Sequence, residues 1–141
     1  MSFGYDINHF CGGSILNSES IATAAHCCEI LGDYVQRLTV LAGANNIASP
    51  ESGYQRIKVK KLIIHPSYND STLFNDICIV SLAEPLILSV EKRTSAVKLP
   101  QEGYTATGMA VASGWGATSE DGDLSPSLMN VTVPIITDEE W

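Results

Sequence analysis

The chain has 141 residues and a formal net charge of −8, with 45% hydrophobic and 17% charged residues. That composition excludes a disordered tail, and no apolar run approaches the ~20 residues of a membrane-spanning helix. All eight Lys and Arg lie between Arg37 and Lys98, which argues against nucleic acid, whose phosphates need clustered cations; the acidic excess reads as a solvated surface.

In chain order, short β-rich runs recur between turn signals and helical periodicity is nearly absent. Strands are expected at 14–16, 21–23, 38–42, 55–64, 77–82, 105–112 and 128–136, with a single turn of helix after Ala24-Ala25-His26. The loops between them, 17–20, 44–53, 65–75 and 118–127, carry clear punctuation such as Asn17-Ser18, Gly53, Pro66, Gly122 and Pro126. Many short strands at this spacing predict an all-β sandwich or barrel. A boundary near Leu99-Pro100 is expected because the basic region ends there. No repeat or low-complexity tract interrupts the pattern.

Met1 is followed by Ser2-Phe3-Gly4-Tyr5-Asp6, with neither the basic nor the apolar region of a secretory signal. The four cysteines, Cys11, Cys27, Cys28 and Cys78, are an even number and favour an oxidising compartment if they pair. The expectation is an excised or incomplete piece of a secreted, extracellular protein.

Two blocks suggest chemistry: Thr23-Ala24-Ala25-His26-Cys27 and, 50 residues on, Asn75-Asp76-Ile77. Amide hydrolysis at neutral pH needs a nucleophile stripped of its proton, and an imidazole with a pKa near ~6.5 can take it. A carboxylate on the other ring nitrogen fixes the tautomer and stabilises the imidazolium. Each block alone is unremarkable; together with their flanks they are specific.

The blocks His9-Phe10-Cys11-Gly12-Gly13-Ser14-Ile15, Thr23-Ala24-Ala25-His26-Cys27, Ile63-Ile64-His65-Pro66-Ser67-Tyr68, Asn75-Asp76-Ile77 and Ser113-Gly114-Trp115-Gly116 run in order across nearly the whole chain. In these the chain resembles chymotrypsin-like serine peptidases of the trypsin family, and among them most nearly arthropod trypsins. The resemblance implies a double β-barrel, with the first barrel nearly complete over 1–99 and the second only begun over 100–141. It implies His26 as base and then acid, Asp76 as its orienting carboxylate, and polypeptides as substrates, with protein protease inhibitors as further partners. It implies a Cys11–Cys27 bond, worth about 3 kcal/mol for a loop of this size.

Cys28 lies two residues after His26 and Cys78 two after Asp76. If His26 and Asp76 touch, these cysteines come within bridging range, because a disulfide wants Cα atoms roughly 4.4–6.8 Å apart. A Cys28–Cys78 bond is therefore expected, against two alternatives: a buried free thiol at Cys78, or zinc at Cys27-Cys28, which no Cys-x-x-Cys spacing supports.

Leu73 matches the position that lines the pocket for the residue preceding the scissile one; a packed loop leucine explains it equally. His9 and His65 fall at structural positions of the family, and Trp115 reads as packing. Asn69-Asp70-Ser71 and Asn130-Val131-Thr132 are glycosylation sequons, the first in a loop open to modification and the second in an expected strand.

The departures are equally informative. Many relatives bind calcium in the loop matching 44–55, yet the matching ends here are Ala44 and Tyr54, and Glu51 is its only acid. A cation that takes roughly 6–8 oxygens is poorly served, so no calcium, and no other metal or cofactor, is expected. The segment matching the self-cleavage loop of trypsins, 117–129, holds no Lys or Arg. The Gly-Asp-Ser-Gly-Gly block that carries the family's nucleophile is not in the sequence, and neither Ser14 nor Ser113 replaces it. The chain alone is expected to be inactive and to need the missing C-terminal barrel segment or a partner chain. The alternative function is a non-catalytic serine protease homologue acting as a binding or regulatory module; an intracellular metal-binding β domain is a third, which free thiols would mark.

Overall fold

The computed structural model describes residues 2–5 and 8–136. Its regular structure is mostly strand: β1 (Ser2–Tyr5), β2 (Asn8–Gly12), β3 (Ser14–Asn17), β4 (Ser20–Thr23), β5 (Leu38–Ala42), β6 (Gln55–Ile64), β7 (Cys78–Leu82), β8 (Met109–Gly114) and β9 (Met129–Pro134). Among the described residues the helical content is one short helix, α1 (Ala25–Glu29), and a 3₁₀ stretch, Gly32–Arg37. Among the described residues no helix is long and apolar enough to cross a membrane.

The chain divides into two compact units, Met1–Val97 and Lys98–Trp141. In the first, seven antiparallel strands run in the order β2-β1-β5-β6-β7-β4-β3. The two edge strands, β2 and β3, are separated in the chain by Gly13 alone, so the sheet has to curl to bring its edges together. Curling gives it an inside. Ile21, Leu38, Val40, Val59, Val80 and Leu82 fill that side with Cys28 and Cys78. The alternation along β5 and β7 supplies this face, since successive side chains of a strand point to opposite sides.

The sequence expectations for 38–42 and 55–64 coincide with β5 and β6. β1 and β2 carry no strand pattern of their own: the stretch is broken by Gly4 and Asp6 and carries polar Asn8 and His9, and pairing of β1 with both β2 and β5 makes it sheet. The 3₁₀ stretch was also unforeseen, having no apolar period. The strand expected at 105–112 starts instead at Met109, because Gly108 sits at φ +85° and its carbonyl accepts from the Ile135 N–H.

The second unit contains β8 and β9, paired from Met109↔Pro134 to Gly114↔Met129. Most side chains of this ladder are exposed, including Val111, Met129 and Val131, whereas Trp115 just beyond β8 is buried.

Candidate active site

α1 starts without a capping side chain, since its N-cap is Ala24. The first turn of any helix leaves N–H groups without intrahelical partners, and here the partner comes from far along the chain. Asp76 Oδ1 accepts from the His26 N–H at 2.9 Å, and Asp76 Oδ2 meets His26 Nδ1 at 2.8 Å. One carboxylate thus anchors the helix and the imidazole it carries. The Thr23 hydroxyl, donating to the Gly12 carbonyl at 2.8 Å, ties the entry of this segment to β2.

Asp76 is held by its own turn. Asn75 adopts φ +56°, a left-handed conformation that asparagine tolerates better than most residues, and its side-chain amide donates to the Ser67 carbonyl at 2.9 Å. The Ile77 N–H donates back to the Asn75 carbonyl at 2.7 Å. The His26 N–H first, and the His26 ring second, hold the Asp76 carboxyl below its ordinary range, because both hydrogen bonds favour the charged form. The His26 side chain is 52% exposed. Its Nε2 makes no hydrogen bond among the described residues, so an acceptor nitrogen oriented by a carboxylate is presented outward.

Two disulfides frame the pair. Cys28 is bonded to Cys78 with Cα atoms 6.6 Å apart, joining α1 to β7, and Cys11 is bonded to Cys27 at 6.4 Å, joining α1 to β2. The free-thiol alternative for Cys78 is thereby removed. The sulfurs of Cys11 and Cys27 lie near His26 in a cluster of potential metal ligands, but bonded to each other they offer no thiolate for zinc.

Leu73 lies in the loop that leads to Asp76, at φ +56° and 56% exposed, with Phe74 also exposed beside it. His65 is structural: its Nδ1 accepts from the Ser67 N–H at 3.1 Å and shapes the same loop. Burial pushes the His9 imidazole below its ordinary value. Asn69 is exposed and its Oδ1 accepts from the N–H groups of Ser71 and Thr72.

In the loop 44–55, where the resemblance implies calcium in many members of the family, the residues do not fit that ion. Glu51 Oε2 already accepts from the Asn45 N–H at 2.9 Å and the Asn46 N–H at 3.5 Å. The cation in this neighbourhood belongs to the protein: Arg93 donates from Nε to the Gly43 carbonyl at 2.9 Å and from a terminal nitrogen to the Ser52 carbonyl at 3.2 Å. Sequence reasoning passed over Arg93, because 50 residues separate it from Gly43. Gly43, at φ +75°, lets the segment around Lys92 come close; a Cβ there would clash with the Lys92 carbonyl oxygen.

The chain is similar in sequence to known proteins. A protein-family model described as Trypsin matches residues 1–141. "Serine protease 1" of Canis lupus familiaris is 40% identical over 131 residues, 92% of this chain and 50% of that protein. "Trypsin-1" of the crayfish Astacus astacus is 37% identical over 135 residues, 94% of this chain and 55% of its own length, and "Trypsin" of Sus scrofa is 38% identical over 132 residues, 93% and 54%. Similar identities to dog, pig and crayfish proteins single out no arthropod kinship. The chain spans about half the length of the curated relatives it matches. Its mostly-β fold, a curled sheet followed by a short ladder, fits an incomplete double β-barrel, and the chain belongs to the trypsin family of serine proteases.

Proposed function

We propose that this chain supplies the general base and orienting carboxylate of a secreted, digestive-type serine endopeptidase whose nucleophilic serine comes from outside these 141 residues. The observation that carries the reading is the 2.8 Å contact of His26 Nδ1 with Asp76 Oδ2, which leaves Nε2 for a nucleophile. In the reaction, Nε2 removes the serine hydroxyl proton as the oxygen attacks the peptide carbonyl. Asp76 stabilises the imidazolium that forms. The same proton then passes to the leaving amine, and water, deprotonated by His26, hydrolyses the acyl-enzyme.

Residues 1–99 form the first barrel in this reading, and 100–141 the connection and opening strands of the second. The exposed apolar side chains of β8 and β9, such as Val111 and Val131, support it, because a ladder with open apolar faces needs further strands to cover it. Leu73 and its exposed neighbour contact the substrate on the side of the residue preceding the scissile one. Polypeptide substrates and protein inhibitors are the partners, and the disulfides fit an oxidising, extracellular setting. A specific kinship with arthropod trypsins rests on the sequence blocks alone.

The test is to assay the 141-residue chain and a full-length parent on peptide esters, with His26→Ala as control. Hydrolysis by the parent, lost in the variant, with an inert short chain is expected. Turnover by the short chain would refute an external nucleophile; an inert parent with glycine at the serine position would make it a non-catalytic homologue.

A further inference from the structure

β6 lies in the interior of the curled sheet, hydrogen-bonded to β5 on one side and β7 on the other. Its pairing with β7 slips between Val59 and Lys61, a β-bulge. A bulge places one additional residue in the strand and interrupts strict alternation. Here Ile57 and Val59 face the core, and Leu62 and Ile64 resume that side after a step of three. Lys60 and Lys61 therefore both turn outward, joining Arg56 and Lys58, and all four are exposed. Half of the eight basic residues of the chain thus occupy one face of one strand.

The surroundings leave these charges unneutralised. Opposite Lys58 and Lys61 on the neighbouring strands stand the neutral Thr39 and Ser81. Among the described residues none of the four cations is in an ion pair; Arg56 donates to the Thr39 hydroxyl at 3.3 Å. Glu84, which follows the Ala83 N–H bound to the Lys58 carbonyl, makes no ion pair with them either. β5 pairs with residues 55–58 of β6 and β7 with residues 59–64, and the outward side chains are what this face offers a ligand.

We propose that the outward face of β6 is a docking surface for an extended acidic polypeptide segment. Alternate residues of a strand repeat at roughly 6.7 Å. An extended peptide with an acid at every second residue has the same repeat, so its carboxylates fall in step with Arg56, Lys58 and Lys60. The surface does not depend on chemistry at His26, so it stands or falls apart from the proposed catalytic role.

The test is fluorescence anisotropy of a labelled peptide of alternating Glu and Ser, titrated with the protein, beside a Lys-Ser peptide and a sulfated heparin oligosaccharide. Binding of the Glu-Ser peptide alone is expected, weakened at least ~10-fold between low salt and physiological ionic strength. The charge reversal Lys58→Glu with Lys60→Glu, and separately Arg56→Glu with Lys61→Glu, should each weaken it by about 10-fold or more while the circular dichroism stays unchanged. Equal binding by either reversed variant would overturn the proposal. So would preference for the oligosaccharide, or self-association of the protein through this face with the peptide inert.

Discussion

Replacing Cys28 and Cys78 together by Ala tests how the site is held. The bond spans 50 residues, and closing a loop of that length removes unfolded-chain entropy worth about 4 kcal/mol. The Cys11–Cys27 bond spans 16 residues and by the same relation contributes about 3 kcal/mol. The two loops do not overlap in sequence, so the contributions are independent. With a urea slope of about 2 kcal/mol per molar, Cys28→Ala with Cys78→Ala should lower the unfolding midpoint by about 2 M, and the other pair by about 1.5 M. Circular dichroism in urea measures both. The local consequence is read by hydrogen exchange at the His26 N–H, bonded to Asp76 Oδ1 at 2.9 Å, which should exchange faster in the Cys28/Cys78 variant than in the Cys11/Cys27 variant. A midpoint shift under about 0.5 M for the longer loop, or a larger loss from the shorter one, would refute the reasoning.

Four further outcomes are expected. Asp76→Asn sets an amide against the two donors of His26 and should lower kcat of an active parent by about ten-thousand-fold with the fold retained. Because the Asp76 carboxyl is depressed by those same bonds, its contribution to stability is present above the ordinary value of 3.8 and is lost as pH falls below it; acid titration of unfolding should show this in the native chain and not in Asp76→Asn. Arg93→Ala should speed exchange at the loop amides of Asn45 and Asn46, and millimolar calcium should neither restore protection nor release heat on titration, since the Glu51 carboxylate is engaged by those amides. Gly43→Ala drives a methyl against the Lys92 carbonyl at a left-handed backbone position and should cost roughly 1–3 kcal/mol in urea unfolding; an unchanged midpoint would contradict the close approach.

What could be read from the linear chain is what depends on near neighbours. The apolar alternation of 38–42 and the long run at 55–64, each bounded by turn residues, specify β5 and β6 before any partner is known. The flanks of His26 and Asp76 likewise mark two of the blocks by which the chain resembles its family. Tertiary structure decided everything that depends on residues meeting across the sheet. β1 becomes a strand only between β2 and β5. Lys61 faces solvent only because pairing with β7 slips at the bulge. Asp76 caps a helix 50 residues earlier, and Arg93 clasps Gly43 across the same interval. Local pattern fixes which face of a segment is apolar, but closing a loop of tens of residues is set by the summed pairing of the whole sheet, and no short stretch of sequence contains that sum.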